Sequence, residues 1–205
     1  MSSKDVILGR IRAALGPGVS APPIPRDYRQ SSDKPDLDLL VERLIDYKAA
    51  VHRVSNDKSG IAAAILEILG SGSVVVPPGL PTDWLPPEIE AVVDDGLDAA
   101  RIAAADGVVT GAAVAIAETG TIVLDASPDQ GRRIITLLPD LHICVLRPDQ
   151  VVASVPEAVA RLDPRRPLTW ISGPSATSDI ELRRVEGVHG PRNLHVVLVE
   201  IPSSR

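Results

Sequence analysis

The chain has 205 residues, which is long enough for one compact domain with a buried core. Hydrophobic residues make up 44% of it and charged residues 23%. Its net charge of −6 argues against nucleic acid as a main partner, and with only 2% aromatic residues it offers few surfaces on which bases could stack. No apolar run reaches membrane-spanning length and no signal-peptide pattern opens the chain, so we expect a cytoplasmic protein without a membrane span.

The N-terminal residues are predicted to form an arm. Apolar side chains recur at helical spacing in Lys4–Leu15, and the linker Gly16–Pro25 that follows is rich in proline and therefore extended. We expect an N-terminal arm at residues 1–30 and an α/β domain at residues 31–205. Because so short a helix has little core of its own, we expect it to dock on this subunit or on a neighbouring one, as in a homo-oligomer.

Helical and strand patterns then alternate. Helices are predicted at Asp36–Ala50, Asp57–Leu69 and Asp98–Ala105, and strands at Val51–Val54, Ser73–Pro77 and Val92–Val93. This alternation predicts an α/β fold with a mostly parallel sheet and helices on both faces.

Two extended runs follow, Ala112–Ala117 and Thr121–Leu124, joined through the turn that contains Glu118, Thr119 and Gly120. The second run is dominated by β-branched residues, and glycine suits a tight turn. We therefore predict a β-hairpin or a sharply bent strand pair with Glu118 at its tip.

The next elements are predicted from the same patterns. A helix with Arg132 and Arg133 in its early turns is expected at Asp129–Leu138, a buried strand at Leu141–Leu146 and another helix at Glu157–Leu162.

The segment Ser172–Pro191 is rich in glycine, serine and threonine and lies between two apolar runs, Pro167–Ile171 and Leu194–Ile201. We expect the segment to close the sheet. The hydroxyl side chains of the segment could cap a short helix at Asp179–Arg184, whose free N–H groups would favour an anion. A purely structural capped turn is the alternative.

Four side chains are candidates for chemistry. Glu118 could act as an acid, a base or a carboxylate nucleophile, and the alternative is an exposed turn residue. His189 lies in a polar turn and is the best candidate for proton transfer. Arg132 and Arg192 could grip a carboxylate or a phosphate, with surface ion pairing as the alternative.

Metal and nucleotide signatures are missing from the sequence. No pair of ligands has the spacing of a known zinc site, and the patterns G-x-G-x-x-G and G-x-x-x-x-G-K-[ST] do not occur. Cys144 is the one cysteine, whereas an iron–sulfur cluster needs several. We therefore expect no metal and no cofactor in this chain.

Two long motifs carry a resemblance. The run SGPSATSDIE followed by GVHGPRNLHVVLV, and the block Gly107–Ser127 with Leu137–Val152, resemble the signatures of the lactate-utilisation protein C family, also called LUD-domain proteins. This resemblance implies a fold similar to sugar-phosphate isomerases and CoA transferases. It also implies a role in oxidising L-lactate to pyruvate beside partner proteins that carry the iron–sulfur clusters.

Three functions remain open. The first is an accessory component of L-lactate utilisation with a cleft for a small carboxylate or a phosphate-bearing ligand. The second is a free-standing enzyme that uses Glu118 on a CoA ester or a sugar phosphate, and the third is a non-catalytic assembly module. We expect three turns, Glu118–Thr121, Ser172–Asp179 and His189–Arg192, to converge on the cleft at the carboxyl edge of the sheet. The catalytic candidates are Glu118 and His189, and the ligand-binding candidates are Thr119, Gly120, Thr121, Arg132, Ser172, Gly173, Ser175, Thr177, Asp179 and Arg192.

Overall fold

The structure is a computed structural model that describes residues 2–16, 20, 22–31, 34–55, 58–177, 185–186 and 190–200, with only the backbone at 58, 176, 177, 185 and 186. The helices are α1 (Ser3–Leu15), α2 (Leu37–Asp46), α3 (Lys58–Leu69), α4 (Ala99–Ala103) and α5 (Val155–Arg161). The strands are β1 (Ala50–Ser55), β2 (Ser73–Val76), β3 (Glu90–Val93), β4 (Gly107–Thr110), β5 (Val114–Ile116), β6 (Thr121–Leu124), β7 (Leu141–Leu146), β8 (Val151–Val152), β9 (Thr169–Ile171), β10 (Ala176–Thr177), β11 (Val185–Glu186) and β12 (Asn193–Glu200).

A six-stranded sheet with the order β1-β12-β7-β4-β2-β3 forms the centre of the domain, and all its strand pairs are parallel. Leu40 and Leu44 of α2 are buried against one face of this sheet. Ile61 and Ile65 of α3 are buried against the other. The prediction of an α/β fold, with a mostly parallel sheet and helices on both faces, is confirmed.

A second sheet has the order β8-β5-β6-β9 and lies on the same side as α2. Its hairpin β5–β6 confirms the predicted strand pair. The predicted strand before Ser172 also belongs to this sheet, since β9 pairs antiparallel with β6 and places Ile171 opposite Ile122. The segment that follows Ile171 therefore connects two different sheets.

Strand β12 lies inside the large sheet, between β1 and β7, where it joins the first strand to the rest of the sheet. The physical reason is burial on both faces. Val196 and Leu198 face the cluster that contains α2, whereas Val197 and Val199 face the cluster that contains α3. A strand with two apolar faces is stabilised in the middle of a sheet rather than at its edge.

The chain reverses direction across the sheet between β2 and β4. From β2 it continues to β3 on one side, whereas from β4 it continues to β7 and β12 on the other. Residues 125–132 cover the carboxyl ends of these two strands. Gly79 donates its backbone N–H to the carbonyl of Pro128 (2.9 Å), and Gly111 donates its own to the carbonyl of Asp129 (2.8 Å).

The predicted helix Asp129–Leu138 is wrong. Only a short 3-10 turn forms there, over Arg133–Thr136. Gly131 has a φ of 70°, in the left-handed region that an α-helix cannot pass through. The predicted helix from Asp36 likewise ends at Asp46, because Lys48 adopts a φ of 71° just before β1.

The arm helix α1 forms as predicted, and none of its residues is buried. Ile7, Ile11 and Leu15 lie exposed along one stripe. Its docking and the boundary between arm and domain stay predictions. No helix within the described part of the chain combines the length and the apolar character needed to cross a membrane.

Candidate functional site

A cleft of about 250 Å³ lies where the segment after β9 meets the segment that enters β12. We call it the amino-edge cleft, and it is lined by Arg133, Thr136, Leu137, His142, Thr169, Trp170, Ile171, Ser172, Gly173, Pro174, Ser175, Gly190 and Pro191. His142 is the second residue of β7, and Pro191 stands two residues before β12. The cleft therefore lies at the amino edge of the six-stranded sheet, not at the carboxyl edge where the sequence predicted it.

A backbone hydrogen bond holds together the two turns that form this cleft. Ser175 donates its N–H to the carbonyl of Pro191 at 2.8 Å. Two of the three predicted turns therefore do converge, namely those around Ser172–Ser175 and Gly190–Pro191. They are brought together because β9 and β12 lie in different sheets that pack face to face.

The third predicted turn contacts the cleft only through a hydrogen bond to Ser172. The Thr119 hydroxyl donates to Thr121 Oγ1 (2.8 Å), and Thr121 Oγ1 lies 2.9 Å from Ser172 Oγ. This chain of hydroxyl groups orients Ser172 at the edge of the cleft. Thr119 and Thr121 thus support a cleft residue and do not line the cleft themselves.

The two glycines of these turns pack closely on the end of α2. A Cβ on Gly120 would lie 2.6 Å from Arg43 Cβ, and a Cβ on Gly173 would lie 2.6 Å from the Tyr47 carbonyl oxygen. Both glycines also have positive φ angles, 63° and 87°. Glycine is therefore required at both positions, and its contacts there are to α2.

Arg133 is the cation of the amino-edge cleft, and sequence reasoning missed it. Its side chain is exposed, and no described carboxylate forms an ion pair with it. The sequence analysis selected the neighbouring Arg132. The signal that could have found Arg133 is Gly131, since a glycine stop there ends the predicted helix on which Arg132 was selected.

His142 lines the cleft and was not selected in the sequence analysis. It is 2% exposed, and its Nε2 lies 2.8 Å from Thr110 Oγ1. Burial lowers the pKa of His142 to about 4, because the charged imidazolium would lose its hydration. His142 is therefore a neutral hydrogen-bonding group near pH 7. Burial also raises the pKa of the Cys144 thiol to about 12, so this thiol stays protonated.

Glu118 does not line the amino-edge cleft. Its Oε1 accepts the Val155 backbone N–H at 3.0 Å, and its Oε2 lies 2.5 Å from Arg29 Nη2. The hydrogen bond from Val155 is the main cause that lowers the pKa of Glu118, and Arg29 adds to it. The ionised Glu118 therefore joins the start of α5 to the end of the arm at Arg29. Its catalytic role stays a prediction.

The two arginines predicted to bind a ligand both hold carboxylates. Arg132 donates from Nε to Asp94 Oδ2 (2.8 Å) and from Nη2 to Asp94 Oδ1 (2.5 Å). Arg192 forms a similar fork with Asp140, with both contacts at 2.7 Å. These guanidinium groups lower the pKa of Asp94 and of Asp140. Neither arginine lines the amino-edge cleft.

Comparison with known proteins decides the family. The family model for the LUD domain matches residues 37–199 of the chain. The chain belongs to the LUD-domain family. The match excludes the arm and includes both sheets.

Relatives of this LUD domain carry one recurrent name. A lactate utilization protein C from Deinococcus radiodurans is 51% identical over 164 residues, which cover 77% of this chain and 76% of that protein. A lactate utilization protein C from Bacillus licheniformis is 30% identical, with 97% of this chain and 96% of that protein covered. A solved structure described as a DUF162 family protein from Deinococcus radiodurans is 44% identical, covers 80% of this chain and 96% of its own, and has a TM-score of 0.69.

Three predicted site residues of this LUD domain lie at or beyond the limit of description. Asp179 and His189, together with the predicted helix Asp179–Arg184, lie outside the described residues. Thr177 is described by its backbone alone, as part of β10, which pairs antiparallel with β11. Within the described part of the LUD domain, no group of three or more His, Cys, Asp or Glu side chains is arranged to hold a metal ion.

Proposed function

We propose that this chain is a component of L-lactate utilisation and that its amino-edge cleft binds a small carboxylate. The pathway part of the proposal is supported by the shared name of its relatives, above all the Deinococcus radiodurans protein at 51% identity. The observation that carries the ligand part is the placement of Arg133 in a small cleft beside Ser172 and Ser175. The two parts are tested separately.

The chemistry of the cleft fits a short 2-hydroxy acid. The guanidinium of Arg133 can bind a carboxylate through two parallel hydrogen bonds. The Ser172 hydroxyl and the neutral imidazole of His142 offer partners for a ligand hydroxyl. Leu137 and Trp170 provide apolar surface for a methyl group. At about 250 Å³ the cleft is smaller than the pockets that bind drug-sized ligands and has room for a three-carbon acid.

Lactate oxidation removes two electrons, and an acceptor has to receive them. With a single cysteine this chain cannot hold an iron–sulfur cluster through thiolates. We infer that the electron carriers belong to separate iron–sulfur proteins and that this cytoplasmic chain binds or presents the carboxylate as their accessory component.

Isothermal titration with L-lactate and with pyruvate tests the ligand part. We expect saturable binding to the wild-type chain and at least about tenfold weaker binding to Arg133→Gln, since a hydrogen bond to a charged group contributes a factor of this order. Arg165→Gln is the matched control, because Arg165 is exposed and pairs with nearby Asp163. Equal binding by both variants would exclude Arg133 as the carboxylate site.

Deletion of the gene tests the pathway part. Growth on L-lactate as the carbon source should fail and should return with a wild-type copy, whereas growth on glucose should be unchanged. Undiminished growth on lactate would remove the pathway assignment. The alternative enzyme with Glu118 as nucleophile predicts that Glu118→Gln, but not Arg133→Gln, abolishes complementation.

A further inference from the structure

A second cleft, of about 520 Å³, lies at the opposite edge of the six-stranded sheet. We call it the carboxyl-edge cleft, and the lining residues that matter are Pro78, Asp94, Ala126, Ser127, Arg132 and Arg166. Pro78 follows β2 and Asp94 follows β3, next to the point where the chain reverses direction between β2 and β4. In open α/β sheets, ligands bind preferentially in the crevice at such a reversal.

The guanidinium of Arg132 is held in position by buried acceptors. Asp94 accepts hydrogen bonds from Nε and Nη2 of Arg132, and the Leu97 carbonyl oxygen lies 2.9 Å from the same Nη2. Asp94 is in turn fixed by the backbone N–H groups of Gly96 and Leu97. Among the described residues no acceptor is bonded to Nη1 of Arg132. A fixed guanidinium with donors still available loses little entropy when it binds an anion.

A second guanidinium lines the same cleft from another part of the chain. Arg166 Nη1 lies 3.1 Å from Asp125 Oδ2, and Asp125 Oδ1 also accepts the backbone N–H of Ser127 at 3.1 Å. The backbone between Asp125 and Ser127 has an uncommon conformation, because Ala126 has a φ of 56°. A non-glycine residue in this left-handed region is uncommon, and such conformations concentrate at functional sites.

In both ion pairs the arginine side chain is much more exposed than the carboxylate. The Arg132 and Arg166 side chains are 48% and 39% exposed, whereas their partners Asp94 and Asp125 are only 1% and 13% exposed. The four formal charges cancel, but the carboxylates are turned towards protein donors and the guanidinium groups towards solvent. The surface that a ligand meets is therefore positive.

We propose that the carboxyl-edge cleft binds the phosphate group of an organic phosphate. A phosphate monoester carries close to two negative charges at pH 7, which two guanidinium groups can share, whereas a monocarboxylate needs only one. Pro78 and Ala126 provide apolar surface for the carbon part of such a molecule. This site shares no lining residue with the amino-edge cleft and does not depend on the lactate proposal.

Titration of the full chain with inorganic phosphate and with glycerol 3-phosphate, followed by calorimetry, tests the proposal. We expect saturable binding of both, with the ester tighter because its carbon part contacts the apolar surface. Arg166→Gln should weaken binding of both at least about tenfold. Arg165→Gln, a change in the adjacent and more exposed arginine, should leave binding unchanged.

Arg132→Lys provides a second variant that keeps a cation beside Asp94 but removes the planar fork, and it should also weaken phosphate binding. Thermal melting shows whether each variant is folded. Absence of saturable phosphate binding to the wild type, or equal binding by Arg166→Gln and Arg165→Gln, would overturn the proposal. Arg133→Gln distinguishes the two proposed binding sites, because it should reduce lactate binding and leave phosphate binding intact.

Discussion

Replacing His142 with glutamine should remove a defined part of the acid sensitivity of this domain. In the folded state burial keeps the pKa of His142 at about 4, compared with 6.5 for an unburied imidazole. Between these two values a proton binds to the unfolded chain but not to the folded one, so lowering the pH stabilises the unfolded state. At about 1.4 kcal/mol per pH unit, the folded state loses about 3 kcal/mol across this window.

The free energy of unfolding, measured with urea at pH 7.5 and pH 5.5, tests this effect in the upper part of the window. Over this interval the wild type should lose about 1 kcal/mol more than His142→Gln, because only its unfolded state gains a proton at this position. The amide of glutamine can still meet the Thr110 hydroxyl, so the contact at 2.8 Å is partly retained.

Thr110→Val is the control for this comparison, since it removes the hydrogen-bond partner of His142 but leaves the imidazole. It should keep the pH dependence of the wild type, whatever its stability at pH 7.5. The reasoning would be refuted if wild type and His142→Gln lost equal stability between the two pH values. In that case the buried imidazole would be protonated as readily in the folded domain as in the unfolded chain.

Three further predictions follow from contacts in the structure. Glu118→Gln should release the end of the arm around Arg29, so that limited proteolysis cuts the arm faster, and Arg29→Gln should have the same effect because the two side chains form one contact. Cleavage at the wild-type rate in both variants would contradict this anchor. Gly79→Ala should lower the free energy of unfolding by about 1–3 kcal/mol, because its Cβ would lie 2.5 Å from Pro128 Cβ, whereas Gly9→Ala, with nothing within 4 Å, should be neutral or slightly stabilising in urea. Cys144 should react with a thiol reagent only after unfolding, since its thiol is buried and protonated; rapid labelling of the folded chain would disprove this.

Local pattern was sufficient to predict several elements of the fold. The bounds of Thr121–Leu124 and Leu141–Leu146 agree with β6 and β7, because both are apolar runs that turn residues delimit. The tight turn expected at Gly120 is present, with a φ of 63°. These features depend on side-chain alternation and backbone sterics within a few residues, and both are written directly in the sequence.

The candidate site could be predicted only in part. Ser172, Gly173 and Ser175 do line a cleft, but the cleft lies at the amino edge of the sheet, and its cation is Arg133 rather than Arg132. Gly131, with a φ of 70°, ends the predicted helix before these two arginines. The sequence shows that a glycine is present but not that it adopts a left-handed conformation next to Pro77.

By itself, the sequence determined the fold class, the strand–helix alternation and the presence of one polar segment between two apolar strands. Only the tertiary structure decided that β9 and β12 belong to different sheets, that β12 is central, and that two clefts with separate arginines lie at opposite edges. The physical reason is that side-chain periodicity fixes which face of a strand is buried but not which strand it pairs with. Pairing is chosen by contacts between residues far apart in the chain, such as Ile122 with Ile171.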